Sequence, residues 1–215
     1  MKLKVCGMKE NPEAVGALTP DYLGFIFWEP SSRFIPEPPQ NLTTDIKRVG
    51  VFVDASIPYI LKQTKTFGLS LVQLHGKESP DFCAALQKEL STPSDSKSPK
   101  VELIKVFSVN DDFDFSILSA YEEVCDYFLF DTKGKLPGGN GYAFNWELLK
   151  EYPSKKPYFL SGGIGLEEVP QLIRFMESTE SRHCHALDVN SKFETAPGNK
   201  NIPDLKRFIK QIFDR

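Results

Sequence analysis

The sequence predicts an α/β chain whose eight parallel strands close into a (β/α)8 barrel. Three observations carry that prediction. Eight short apolar runs, rich in β-branched and aromatic residues, recur along the 215 residues, at about 25–27 residues per repeat. Most gaps between them place apolar residues at helical spacing. Several runs end in one reactive or polar side chain, as a buried parallel strand does when it delivers a group to its carboxyl end.

The runs cover residues 3–6, 22–27, 49–53, 69–74, 101–107, 127–130, 158–161 and 184–189. Residues 57–67 follow the third run and carry Ile57, Ile60, Leu61 and Thr64 on one face. Ser79-Pro80-Asp81 reads as an N-cap with proline in the first turn, leading into Phe82, Ala85, Leu86 and Leu90. Residues 166–176 and 203–213 complete the clear helices. The gaps after the second and sixth runs are the weakest, the one rich in proline and the other short. An open doubly wound sheet is the rival architecture. It normally has a Gly-rich turn after its first strand, and only Gly7 stands there.

One domain spanning residues 1–215 suits this length, with 40% hydrophobic and 26% charged residues. Residues 91–100 are polar, with two prolines, and read as a solvated loop insertion on the face away from the site. A net charge of −3 gives no footprint for nucleic acid. No apolar stretch approaches the length of a membrane span, and no signal peptide opens the chain. Cys6, Cys83, Cys125 and Cys184 lack paired spacing, so reduced thiols in a cytoplasmic protein are expected.

In a barrel the working face lies at the carboxyl ends of the strands. Cys6 ends the first run, where nearby positive potential would lower its pKa enough to make it a base; most free cysteines are simply small buried apolar groups. Asp131 follows four apolar or aromatic residues and reads equally as a proton donor or as a carboxylate capping backbone N–H groups. Asp188 suits a substrate hydroxyl or a loop better than proton transfer. Gln73 and His75 end the fourth run, and His75 reads as a pocket-lining residue. Ser161-Gly162-Gly163-Ile164-Gly165 follows the seventh run, where many barrels bind phosphate. Arg33 has the fork geometry for a carboxylate, with a solvated surface arginine as the plain alternative. His183-Cys184-His185 does not form a metal site, because Cys184 alternates away from the two histidines and no further ligand is near in sequence.

These segments, in order, resemble the phosphoribosylanthranilate isomerase family of tryptophan biosynthesis, which has the TIM-barrel fold. The likeness runs from Lys4-Val5-Cys6-Gly7-Met8 through Gly24-Phe25-Ile26-Phe27 and Ser32-Arg33-Phe34-Ile35. It continues through Val72-Gln73-Leu74-His75-Gly76, Leu129-Phe130-Asp131-Thr132, Gly138-Gly139-Asn140-Gly141 and Leu160-Ser161-Gly162-Gly163-Ile164. It ends with Leu187-Asp188-Val189-Asn190-Ser191, Glu194 and Pro197-Gly198-Asn199-Lys200. The resemblance implies an Amadori rearrangement with Asp131 as general acid and Cys6 as general base. It implies that Arg33, Gln73, His75 and Asp188 contact the substrate, and that Gly162, Gly163, Asn190, Ser191 and Lys192 hold its phosphate. It implies no cofactor, no metal, and a small phosphorylated substrate acted on by a monomer or homodimer. The alternatives are another phosphate-binding barrel enzyme or a non-catalytic sugar-phosphate binding module. The chain departs from the family pattern at Lys192, usually Gly, and at Asn145 and Asn201, both usually Asp. A position demanding positive φ would be strained by Lys192.

Overall fold

A computed structural model describes residues 1–42, 45–91, 100–132 and 145–214. Its eight parallel strands pair in sequence order and close on themselves. They are β1 (Lys2–Val5), β2 (Tyr22–Ile26), β3 (Lys47–Phe52), β4 (Leu71–Leu74), β5 (Glu102–Val109), β6 (Tyr127–Thr132), β7 (Tyr158–Leu160) and β8 (Cys184–Val189). The barrel closes where β1 meets β8, with Lys4 opposite Asp188.

Strand alternation decides which residues face the inside. Leu3, Val5, Val72, Leu74, Phe128, Phe130 and Leu187 belong to the apolar layer between the strands and the surrounding helices. Tyr22, Val49, Leu71, Ile104, Val106, Leu129, Phe159 and Ala186 form a separate cluster, the floor of the barrel interior. Two residues further along the strands, the inward positions become Lys4, Gln73, Asp131 and Asp188, each 5% exposed or less. Above the largely apolar floor cluster the inward layer is thus polar, on the side of the carboxyl-end mouth.

The α-helices are α1 (Pro12–Gly16), α2 (Ile57–Phe67), α3 (Pro80–Ser91), α4 (Val169–Met176) and α5 (Ile202–Ile212). The expected span of α2 is met, ended by Gly68 at φ 60. Ser79 caps α3, its Oγ accepting from the Phe82 N–H at 3.2 Å. The helix expected from 166 starts at Val169, with proline in its first turn. Among the described residues no α-helix links β2 to β3, where Pro30, Pro36, Pro38 and Pro39 remove N–H donors and fix φ. Among the described residues, short 3-10 turns at Phe115–Tyr121 and Trp146–Glu151 stand in place of α-helices after β5 and β6. An antiparallel hairpin, β9 (Glu194–Ala196) and β10 (Asn199–Lys200), follows β8. It had no counterpart among the eight runs, although Pro197-Gly198 at its bend is a turn signal. Most of the anticipated 91–100 insertion, and the Gly138-Gly139-Asn140-Gly141 motif, lie outside the described residues.

Candidate active site

A cleft opens at the carboxyl-end mouth, lined by Cys6, Arg33, Gln73, His75, Asp131, Gly162, Gly163, Asp188, Asn190, Ser191 and Lys192. Folding thus gathers into one cleft all eleven residues singled out from the sequence. Trp28, Ser31, Ser161 and Ile164 also line it.

Cys6 follows β1 and is 5% exposed. Its sulfur fits because β2 carries Gly24 alongside: a Cβ there would come within 2.7 Å of the Cys6 Sγ. Burial pushes the Cys6 thiol up, and Asp188 adds to this, against the opposing pull of Lys4 and Lys200. The lowered thiol pKa expected from the sequence is therefore corrected: the desolvation of a thiolate outweighs the two cations.

Lys4 lies one inward position below Cys6 on β1. It is completely buried, and its Nζ donates to Asp188 Oδ2 at 2.7 Å and to Gln73 Oε1 at 2.6 Å. Burial alone would lower the Lys4 pKa, but Asp188 and Cys6 leave it raised. Burial also raises the Asp188 carboxyl against the pull of Lys4. Among the described residues Asp188 Oδ1 is buried without a hydrogen-bond partner, which leaves a lone pair available to a substrate hydroxyl.

Across the barrel, Asp131 Oδ1 accepts from the Thr132 N–H at 3.0 Å, and Oδ2 lies 3.4 Å from His75 Nε2. One oxygen of Asp131 thus caps a backbone N–H, and the other stands beside His75.

The turn after β7 needs glycine, with φ 92 at Gly162 and 67 at Gly163. Facing it, Asn190, Ser191 and Lys192 follow β8, the last two in a 3-10 turn. Lys192 is not among the described residues with positive φ, so the loss of the family's usual glycine carries no backbone strain. A Cβ on Gly165 would lie 3.0 Å from Lys192 Cβ, which places the lysine stem beside the Gly-rich turn.

Arg33 reaches the cleft from the β2–β3 connection. Its Nε donates to Glu194 Oε1 and Oε2 at 2.9 and 3.0 Å, and its Nη2 donates to Oε2 at 2.6 Å. Lys200 Nζ joins at 2.7 Å from both Glu194 Oε1 and Asn190 Oδ1. Lys4, Gly24, Glu194 and Lys200 are the residues that sequence reasoning had left without a role. Two of them carried a signal: a lysine inside an apolar run and a glycine inside a strand.

His183 closes a 3-10 turn before β8, while His185 Nε2 meets Tyr22 Oη at 2.8 Å at the barrel floor. Among the described residues no helix is long and apolar enough to cross a membrane.

A family model described as N-(5'phosphoribosyl)anthranilate (PRA) isomerase matches residues 3–211. The chain is 39% identical to the N-(5'-phosphoribosyl)anthranilate isomerase of Phocaeicola vulgatus, covering 99% of this chain and 98% of that protein. It is 40% identical to that of Parabacteroides distasonis, covering 99% and 93%. It also superposes, with a TM-score of 0.76, 26% identity and 100% of both chains covered, on a phosphoribosyl anthranilate isomerase solved with reduced 1-(o-carboxyphenylamino)-1-deoxyribulose 5-phosphate. With near-complete coverage from sequence and structure alike, the chain belongs to the N-(5'-phosphoribosyl)anthranilate isomerase family.

Proposed function

We propose that this isomerase converts N-(5'-phosphoribosyl)anthranilate into 1-(2-carboxyphenylamino)-1-deoxyribulose 5-phosphate, an Amadori rearrangement in tryptophan biosynthesis. The observation that carries the reading is one cleft holding a thiol from the β1 end and a carboxyl from β6, with a glycine turn on one wall and an arginine on another.

The carboxyl of Asp131 gives a proton to the furanose ring oxygen, and the ring opens to a protonated Schiff base. Cys6 then removes the proton from the sugar C2, and the resulting enolamine becomes the ketone. The order of the steps bears on the raised thiol. Ring opening creates a cation next to the sulfur, which adds to the fields of Lys4 and Lys200 and favours thiolate when a base is needed, the thiol proton passing through solvent to the Asp131 carboxylate left by the first step. Asp188 Oδ1 accepts from a sugar hydroxyl, and Gln73 and His75 line the same wall. Arg33 takes the anthranilate carboxylate. Gly162, Gly163, Asn190, Ser191 and Lys192 hold the phosphate through backbone N–H groups and the Lys192 ammonium. The substrate's own amine supplies the electron sink.

The test is a fluorescence assay following the disappearance of freshly made phosphoribosylanthranilate. Cys6→Ala and Asp131→Asn should each lose about 10²–10⁴-fold in kcat while retaining the wild-type circular dichroism spectrum. Full kcat in Cys6→Ala would remove the base assignment. A binding module would instead show ligand affinity without turnover.

A further inference from the structure

Arg33 is gripped from behind by a carboxylate that does not face the cleft. A guanidinium presents its N–H groups in one plane, along two usable edges. Glu194 occupies the edge formed by Nε and Nη2. Nη1 makes no hydrogen bond among the described residues, so with the second N–H of Nη2 it forms the free edge. Arg33 lines the cleft and Glu194 does not.

Glu194 is itself held. Its Oε1 accepts from Lys200 Nζ at 2.7 Å and from the Gly198 N–H at 3.1 Å, and its side chain is only 5% exposed. Lys200, 2% exposed, also donates to Asn190 Oδ1. The cluster therefore holds one carboxylate between two cations. One positive charge is left over, and a planar donor edge is fixed toward the cleft.

We propose that Glu194 is a positioning residue that makes Arg33 a specificity-determining clamp for the carboxylate on the aromatic half of the substrate. The inference rests on the function proposed above. A long arginine side chain loses considerable rotamer freedom when it is ordered. Glu194 removes that freedom before substrate arrives, so the free edge meets a carboxylate already aligned for a bidentate contact. Without Glu194 the guanidinium would remain charged but sample other directions, and the benefit of the substrate carboxylate would shrink.

The experiment compares two substrates, phosphoribosylanthranilate and the product of ribose 5-phosphate with aniline, which lacks the carboxylate. Wild-type enzyme should favour the first in kcat/KM, and Glu194→Gln, which keeps size but loses charge and one acceptor, should narrow the preference. The expected loss on the carboxylated substrate is roughly tenfold, mostly in KM, because a charge-assisted bidentate contact is weakened. The loss on the aniline substrate should be several times smaller. In an Arg33→Ala background, Glu194→Gln should change the preference no further. Equal losses on both substrates, or an unchanged preference, would overturn the proposal. Absence of wild-type turnover on phosphoribosylanthranilate would instead overturn the function proposed above.

Discussion

Lys4 shows how a single side chain can serve both stability and the site. A completely buried ammonium survives only when paired, and Asp188 and Gln73 supply the partners. Lys4→Met should destabilise the protein by about 3–5 kcal/mol in urea titrations, because Asp188 is left as a buried, uncompensated charge. Lys4→Met combined with Asp188→Leu should recover most of that loss. If the double variant is no more stable than the single one, the pair is not what sets the cost. Gly24 acts through absence: a methyl group there would lie 2.7 Å from the Cys6 sulfur. Gly24→Ala should therefore keep the fold yet lower kcat on the order of 10²-fold, the size of effect expected when a reacting group is displaced by about 1 Å. Wild-type kcat in that variant would show that the sulfur has room to spare. Both roles depend on neighbours. The thiol's pKa direction depends on Lys4, Asp188 and Lys200, which meet only when the first and last strands close the barrel. For that reason residue type and strand-end position identified Cys6, but not the direction of its titration.

At the scale of elements, caps account for two of the departures from the family pattern. Asn145 accepts from the Glu147 N–H at 3.1 Å to start a 3-10 turn, and Asn201 accepts from the Asp204 N–H at 3.2 Å to start α5. Asparagine and aspartate cap about equally well, so the exchange preserves the role. Asn201→Ala should cost about 1 kcal/mol, read as a lower thermal midpoint with unaltered kcat. No change in the midpoint would mean that α5 is held by its packing alone, through Leu205, Phe208 and Ile212. The strands and long helices were legible because period-2 and period-3.6 patterns are local properties of the sequence. The connections after β2, β5 and β6 were less legible. Proline and short length marked two of them as weak, but a 3-10 turn has no periodicity of its own. The grip of Glu194 on Arg33 spans 161 positions, and no local pattern links the two.

Across the whole barrel, the mouth and the floor use buried polar groups to opposite ends. Among the described residues the mouth leaves polar groups open, with Asp188 Oδ1 lacking any hydrogen-bond partner, where a substrate can meet them. The floor closes them: Tyr22 Oη pairs with His185 Nε2, Tyr127 Oη donates to Glu102, and the rings of Tyr22, Tyr127 and Phe159 pack around the imidazole. Burial lowers the His185 pKa, with Lys2 and Lys47 acting in the same direction and Glu102 and Asp21 against it. The unfolded chain therefore binds a proton at this site at a higher pH than the folded one does. Stability attributable to His185 is fully present above the unfolded value of about 6.5 and declines as pH falls below it. His185→Gln should flatten that portion of the acid-side fall in thermal midpoint, while the pH–rate profile of turnover stays as in wild type. A His185→Gln protein whose midpoint falls as steeply as wild type below that pH would move the acid sensitivity away from the floor.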